Sequence, residues 1–298
     1  MADSVGFVGL GIMGRPMAVN LGKSCAVIGF DLDDSRAAGL PNIARAGSMA
    51  DLAGRCSIVC LSLPSAQIVE GVTIGAGGLA ESLKAGSVVI DFSTNIPSVS
   101  RRIAARLADK GIEFADAPVS GGEPAARAGS LAIMVGAAQR TFERCFPYLS
   151  AVGTSVVRVG EVGAGAVAKL VNNMIVGAAF AVIAEGFALA EANGVDARLL
   201  HEAIRDGWAG SKVLEVSAKS IVEHDYTPGG TINMLEKDLG YARLLATESR
   251  IPVPMTAMAH EVLVAGQAAG HGGSSQPAII EMWRAAKELP SRFGRADL

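Results

Sequence analysis

Residues 5–31 read VGFVGLGIMGRPMAVNLGKSCAVIGFD. An apolar strand containing Val5, Phe7 and Val8 runs into Gly9-Leu10-Gly11-Ile12-Met13-Gly14. A helical stretch follows, and a second apolar strand ends in Asp31. Each part has a task in a dinucleotide-binding turn. Gly9 permits the tight turn out of the strand, Gly11 offers bare backbone to a pyrophosphate, and Gly14 lets the helix lie close to the strand. The helix N-terminus points free N–H groups at the phosphates. Asp31 falls about 20 residues beyond the glycines, where an acid accepts a hydrogen bond from the 2′-OH of an adenosine ribose. A bare GxGxxG is a weak signal. Strand, glycines, helix, strand and acid in that order form a specific one. Gly9, Leu10, Gly11, Ile12, Met13, Gly14 and Asp31 are therefore expected to bind the cofactor.

Asp31 also bears on which dinucleotide binds, because a carboxylate there repels a 2′-phosphate. The next residues are Leu32, Asp33, Asp34 and Ser35. Arg36 is the nearest base, and Asp33 and Asp34 oppose it. NAD is expected over NADP. Asp31 can also cap the helix that follows, and would still exclude the phosphate while doing so.

The 298 residues suffice for one large or two ordinary domains, and half of them are apolar, with few aromatics. The core must then come from Ala, Val, Leu and Ile. A formal charge of −3 with no basic block or basic–aromatic interleaving argues against nucleic acid. The N-terminus, MADSVGFVGL, has no basic n-region and enters the first strand directly, so no signal or transit peptide is expected. Leu170–Ala184 is uncharged but short for a membrane span and includes Asn172 and Asn173, so no membrane partner is expected. Cys25, Cys56, Cys60 and Cys145 form no metal-type cluster; Cys56 and Cys60 bracket an expected buried strand and read as small core residues in a reducing compartment, and a cytoplasmic protein is expected. His201, His224, His260 and His271 are scattered without an HxH or HxxxH pair, and no metal is expected.

Strand and helix signals alternate through the first half. Strands are expected at Val5–Leu10, Ala26–Asp31, Ser57–Leu63, Ser87–Phe92, Ile112–Ala117, Leu131–Val135 and Val156–Val159. Helices such as Ser98–Lys110 and Thr141–Leu149 lie between them. Near-continuous apolar strands suit a parallel sheet covered on both faces, so the fold class is a doubly wound, mostly parallel α/β domain. The pattern changes near Gly163. Ala164–Asn193 reads as one long apolar helix whose charges are Lys169, Glu185 and Glu191, and Asn193-Gly194 stops it. Strand signals then disappear, with turns at Asp206-Gly207, Tyr226–Gly230 and Ile251–Pro254. The expected division is 1–162, α/β, and 163–298, all-helical. A helix so apolar all round is expected to be buried on most faces, against both domains or a second subunit, so a homo-oligomer is expected.

Three segments outside the glycine loop can carry chemistry. In Asp116-Ala-Pro-Val-Ser120-Gly121-Gly122, which closes a strand, Ser120 offers a hydroxyl and the two glycines unobstructed N–H groups, which suit a carboxylate. An ordinary glycine turn reads the same way. In Gly163-Ala-Gly165-Ala-Val-Ala-Lys169-Leu-Val-Asn172-Asn173, Lys169 and Asn173 are four apart and share a helix face. Desolvation of a lone lysine in an apolar helix lowers its pKa from ~10.4, so that it can take a proton from an alcohol and return it. The alternative is a lysine whose ammonium snorkels to solvent. Taken alone, Glu236-Lys237-Asp238-Leu239 is a solvated helix face. Two further strand ends, Leu61-Ser62-Leu63-Pro64 and Asp91-Phe-Ser93-Thr94-Asn95, fall at the sheet edge of the glycine loop, which adds Leu63, Pro64 and Thr94 to the cofactor set.

Together GLGIMGRPM (9–17), DAPVSGG (116–122), GAGAVAKLVNN (163–173) and KDL (237–239) resemble, in order and spacing, the β-hydroxyacid dehydrogenase family, which includes 3-hydroxyisobutyrate dehydrogenase, tartronate semialdehyde reductase and L-threonate dehydrogenase. The resemblance runs from Val8 to about Ile280. It implies a Rossmann domain, an all-helical domain joined by a long helix, and an active site in a cleft between them. It implies that Lys169 is the catalytic lysine, that Ser120, Gly121 and Gly122 hold the substrate carboxylate, and that Asn173 orients the substrate. Thr94 then lies near the nicotinamide ribose and Lys237 approaches the cofactor. Asp31 fits the NAD-using members, and Lys169 argues against the imine reductases. One departure is Gly272-Gly273-Ser274-Ser275-Gln276-Pro277, where many members carry an acid before a serine. The expected activity is NAD-dependent oxidation of a small β-hydroxy acid such as 3-hydroxyisobutyrate, or the reverse, by a homo-dimer or homo-tetramer. Alternatives are an L-threonate-type dehydrogenase, a tartronate semialdehyde reductase, and a non-catalytic nucleotide-sensing module on the same fold.

Overall fold

A computed structural model describes residues 4–288. Residues 1–3 and 289–298, the outer ends of the two expected domains and part of the segment read as free of a leader, lie outside the described residues. The chain divides into two compact units, Met1–Leu170 and Val171–Leu298.

The strands are β1 (Ser4–Val8), β2 (Val27–Phe30), β3 (Ile43–Arg45), β4 (Cys56–Leu61), β5 (Val88–Asp91), β6 (Glu113–Asp116), β7 (Val119–Ser120), β8 (Leu131–Gly136) and β9 (Gly153–Gly160). In the first unit the helices are α1 (Gly14–Leu21), α2 (Met49–Arg55), α3 (Ala66–Ile74), α4 (Leu79–Ser82), α5 (Pro97–Ala108), α6 (Gly122–Ala128) and α7 (Gln139–Ser150). The long α8 (Ala164–Ala192) begins here, and the division between units falls inside it. The second unit adds α9 (Ala197–Ile204), α10 (Lys212–Glu223), α11 (Ile232–Ser249), α12 (Pro254–Ala268) and α13 (Ile280–Glu288).

One sheet runs in the order β3-β2-β1-β4-β5-β6-β8-β7, with β9 on β8. Pairings from β3 to β6 are parallel, β8 runs antiparallel to β6 and β7, and β9 is parallel to β8. The chain leaves β1 toward β2 and β3, then returns to the other side with β4. That reversal is a topological switch point, where the carboxyl ends of strands open a ligand crevice. Val5, Phe7, Ile58, Cys60, Val88 and Ile90 bury one sheet face with Met17, Ala18 and Leu21 of α1. Each large side chain so buried contributes about 1.5–3 kcal/mol.

All seven expected strands form, most of them shorter at their ends. Two others were not anticipated. β3 is a mostly exposed edge of three residues, and β7 has two; neither is long enough for a periodicity to show.

In the second unit Phe180, Ala184, Phe187, Leu214, Ile221, Leu239, Leu263 and Ile279 share one core. Side chains set the helix starts: Asp196 accepts from Arg198 N and Leu199 N, Ser211 from Leu214 N, and Thr231 from Met234 N. Beyond β9, the described residues contain no strand, only an isolated bridge between Thr231 and Ser275. The departing segment 272–277 is spent on this contact: Gly272 O accepts from Asn233 N, Ser274 O from Ile232 N, and Gln276 donates to Thr231 O.

By length and composition α8 could cross a membrane. Its Phe180, Ala181, Ala184 and Phe187 lie in the core of the second unit. Val171, Ile175, Val182 and Leu189 stay exposed at 46, 66, 62 and 65%. The described elements of one chain leave this row uncovered, where the expectation named both domains or a second subunit as its cover.

Candidate active site

The glycine loop leaves β1 at its carboxyl end. Gly9 has φ +89°, a conformation side-chain-bearing residues avoid, and a Cβ there would lie 2.3 Å from Ser62 O. A Cβ on Gly14 would lie 1.9 Å from Gly9 O, so α1 can approach the turn only without one. Gly11 differs: the nearest atom to a Cβ would be Arg36 Nη1 at 3.6 Å, and the backbone there is open. No side chain caps the N-terminus of α1 and no acid stands in its first turn. Uncapped N–H groups beside bare backbone fit a dinucleotide pyrophosphate.

Asp31 does not cap the following turn; Asp33 does. Asp31 Oδ2 accepts from Leu10 N at 2.7 Å, and Oδ1 accepts from Asp33 N at 2.9 Å. The acid is therefore stapled to the glycine loop. Arg36 Nη1 stands 3.7 Å from Asp31 and its Nε 3.3 Å from Asp33, while Arg45 pairs with Asp34.

Leu63, Pro64 and Thr94 follow the carboxyl ends of β4 and β5. Leu63 N donates to Ser93 Oγ at 2.8 Å, tying the two loops together. Beneath them Asp91 is fully buried and accepts from Ser93 N and Asn95 Nδ2. Burial pushes its carboxyl up to about 6 against these hydrogen bonds.

Asp91 sits opposite Asp116 on β6, also buried. Asp116 Oδ1 accepts from Gly163 N and Oδ2 from Ala166 N, each at 2.7 Å. Burial pushes this carboxyl up to about 7, the two backbone hydrogen bonds opposing it and the Asp91 charge adding to it. The strand end that leads into Ser120 thus holds the first turn of the helix carrying Lys169. Ser120 is half-buried and pairs with Ala132 of β8. Gly121 and Gly122 are exposed, with φ +132° and +67°, and a Cβ on Gly121 would lie 2.6 Å from Ala125 Cβ. Asn20 of α1 donates to Ala126 O at 2.7 Å, linking the helix after the glycine loop to the helix after Gly121. Lys169 is half-buried.

In the second unit Asn173 is 6% exposed; its Nδ2 donates to Asp238 Oδ2 at 2.7 Å, and its Oδ1 accepts from Asn172 at 3.0 Å. Lys237 Nζ lies 2.8 Å from Asp238 Oδ1 and 4.9 Å from the centre of the Tyr241 ring. Asp238 therefore joins the two motif residues of this unit. Reading 236–239 alone as a solvated face is corrected here, since Asp238 is 8% exposed and Leu239 fully buried.

Asp91, Asp116 and Asp238, which tie these segments together, are absent from the expected site residues. A signal was available: Asp91 and Asp116 each end an apolar strand, where an acid needs a polar partner. Among the described residues no group of three or more His, Cys, Asp or Glu is placed to hold a metal ion.

Comparison with known proteins gives the family. Residues 4–160 match the family described as the NAD binding domain of 6-phosphogluconate dehydrogenase. Residues 163–283 match the family described as NAD-binding of NADP-dependent 3-hydroxyisobutyrate dehydrogenase. The chain is 39% identical to a 2-(hydroxymethyl)glutarate dehydrogenase of Eubacterium barkeri, over 94% of each chain. It is 33% identical to an L-threonate dehydrogenase of Cupriavidus necator, over 98% of this chain and 99% of that one. A solved 3-hydroxyisobutyrate dehydrogenase of Mycobacterium tuberculosis with L-serine is 30% identical and superposes with a TM-score of 0.87, over 95% of this chain and 100% of that one. Two NAD(P)-binding domain matches, the ordered motifs and these relatives lead to one conclusion: the chain belongs to the β-hydroxyacid dehydrogenase family and is a dehydrogenase acting on hydroxyl groups of hydroxy acids.

Proposed function

We propose that the enzyme is a cytoplasmic, NAD-preferring dehydrogenase of a small β-hydroxy acid bearing a primary alcohol, 3-hydroxyisobutyrate being the type. The observation that carries this reading is the Asp116 clamp, which holds the first turn of the Lys169 helix to the strand end leading into Ser120. Ser120, Gly121 and Gly122 take the substrate carboxylate. Lys169 Nζ accepts the hydroxyl proton, and Asn173 orients the same oxygen from one helical turn further along α8. The nicotinamide supplies the hydride acceptor. The carbon that loses hydride is left as a carbonyl, and Lys169 carries the proton. In the reductive direction the Lys169 ammonium returns it and stabilises the developing alkoxide. Gly9, Leu10, Gly11, Ile12, Met13 and Gly14 hold the pyrophosphate, Asp31 the adenosine ribose, and Leu63, Pro64, Thr94 and Lys237 the rest of the cofactor.

The relative named for 2-(hydroxymethyl)glutarate supports the substrate class, because that compound also carries CH2OH on the carbon next to a carboxylate. The L-threonate alternative rests on Asp225-Tyr226-Thr227-Pro228 together with Lys237-Asp238-Leu239-Gly240, which resemble segments of L-threonate dehydrogenases. In the structure Asp225 closes its own turn onto Thr227, and the Tyr226 hydroxyl donates to Glu281. These side chains are occupied by the fold, which favours the shorter acid. NADH formation from 3-hydroxyisobutyrate, 2-(hydroxymethyl)glutarate, glycerate, 3-hydroxypropionate, serine and threonate, each with NAD and with NADP, is the test. Turnover is expected with a 2-substituted 3-hydroxypropionate and NAD. Threonate alone, or no acid at all, sinks the substrate reading.

The four free cysteines support a reducing compartment, which cell fractionation checks. The uncovered row on α8 supports a homo-dimer or homo-tetramer, since Ile175, Val182 and Leu189 recur every seven residues on one face. Light scattering should give a multiple of the 30.4 kDa chain mass. Ile175→Glu should lower that mass, and a monomeric wild type removes the proposal.

A further inference from the structure

We infer that Asp116 is a positioning residue for the reaction: its buried carboxylate sets the height and rotation of the helix turn from which Lys169 projects. The inference rests on the catalytic reading of Lys169 proposed above. Three observations carry it. Asp116 is 1% exposed, and each of its oxygens accepts a backbone N–H from the start of α8, Gly163 and Ala166 at 2.7 Å. Two bonds to amides three residues apart restrain rotation of the turn as well as its distance from β6. The surrounding backbone is then packed to the limit. A Cβ on Gly165 would lie 2.4 Å from Met134 O and 2.5 Å from Asp116 O. One on Gly136 would lie 2.5 Å from Asp116 Oδ1 and 2.7 Å from Gly165 N. The ends of β6 and β8 and the first turn of α8 meet there without room for a methyl group. Lys169 lies three residues after Ala166 and four after Gly165, so it stands one turn above the clamp on the same face.

An uncompensated carboxylate in this place would be costly to bury, and what it obtains is backbone, not a cation. Asp91 faces it from β5, and Arg101 of α5 approaches Gly163, where a Cβ would lie 2.8 Å from Arg101 Nε. From β6 the chain passes directly to β7 and Ser120, so one side chain references the proton acceptor to the segment that takes the substrate carboxylate. A displacement of about 1 Å between such groups can cost about 10²-fold in rate.

The test is Asp116→Asn, which keeps the size but turns an NH2 group against one of the two amides. Hydrogen exchange at Gly163 and Ala166 should quicken. In the same protein kcat should fall roughly 10- to 100-fold, with NAD affinity and substrate KM within about threefold. In a Lys169→Ala background the same change should lower the residual rate by less than about twofold, because the residue acts through the lysine. Unaltered kcat, a loss that multiplies with that of Lys169→Ala, or a loss confined to KM overturns the inference. If Asp116→Asn does not fold, Gly136→Ala presses on the clamp and leaves the carboxylate in place. The same split between kcat and KM is then required of it, and its absence overturns the inference too. Failure of the underlying reading looks different: Lys169→Ala alone then keeps its turnover, while exchange at Gly163 and Ala166 still reports the clamp.

Discussion

Lys169→Ala is expected to lower kcat for hydroxy-acid oxidation by about 10²- to 10⁴-fold, the usual worth of a positioned general base. That factor corresponds to about 3–5 kcal/mol of transition-state stabilisation. NAD affinity should stay within about threefold, because the glycine loop and Asp31 staple lie on other strands and share no hydrogen bond with α8 among those identified. Lys169→Arg separates the two tasks a lysine can perform. Arginine keeps the positive charge but is not deprotonated near neutral pH. If Lys169 takes the hydroxyl proton, arginine is expected to be as poor as alanine in oxidation. If charge alone matters, arginine restores much of the rate. Steady-state kinetics in both directions, with NAD binding measured separately, decide the point. More than a tenth of the wild-type turnover in Lys169→Ala ends the catalytic reading.

Much of the fold was legible because its signals are local and repeated. β1, α1 and β2 combine apolar strands with glycines at spacings that sterics demand, and Gly9 and Gly14 show those demands in the structure. Asn193-Gly194 closes α8 as read, with Gly194 at φ +80°. What was not legible depends on partners distant in sequence. Asp116 reads as the first letter of a glycine-rich turn until Gly163 and Ala166, 47 and 50 residues away, are seen to donate to it. Asp238 reads as a surface acid until Asn173, 65 residues away, is found on it. β3 and β7, of three and two residues, are too short for their own pattern to show and are defined by pairing with β2 and β8. The uncovered face of α8 shows the converse limit. Composition reports that the helix is apolar, and cannot report which faces the chain itself covers.

Asp31→Asn should change the preference between NAD and NADP by about 10²-fold, mostly at the adenosine ribose. The proposed cofactor binding sets the Asp31 carboxylate, only 10% exposed on its side chain, against the 2′ position of the adenosine ribose. A 2′-hydroxyl can donate to it, and a charge-assisted hydrogen bond of this kind is worth about 1.5–3 kcal/mol. A 2′-phosphate meets like charge instead, at a cost of about 4 kcal/mol per pair of unit charges at 4 Å and an effective dielectric constant near 20. Asparagine removes the charge and still presents one oxygen to Leu10 N, so the staple on the glycine loop is weakened rather than lost. It also frees Arg36, whose Nη1 lies 3.7 Å from Asp31 and 3.6 Å from where a Gly11 Cβ would be. Asp33 keeps a partial hold on that guanidinium through Nε. The expected outcome is a kcat/KM about tenfold lower with NAD and about tenfold higher with NADP. Arg36→Ala in the same chain should remove the NADP gain and leave the NAD loss. Loss of the loop staple alone would lower both cofactors equally and leave their ratio unchanged. That unchanged ratio, or a wild type that already uses NADP as well as NAD, would show that Asp31 does not set the preference.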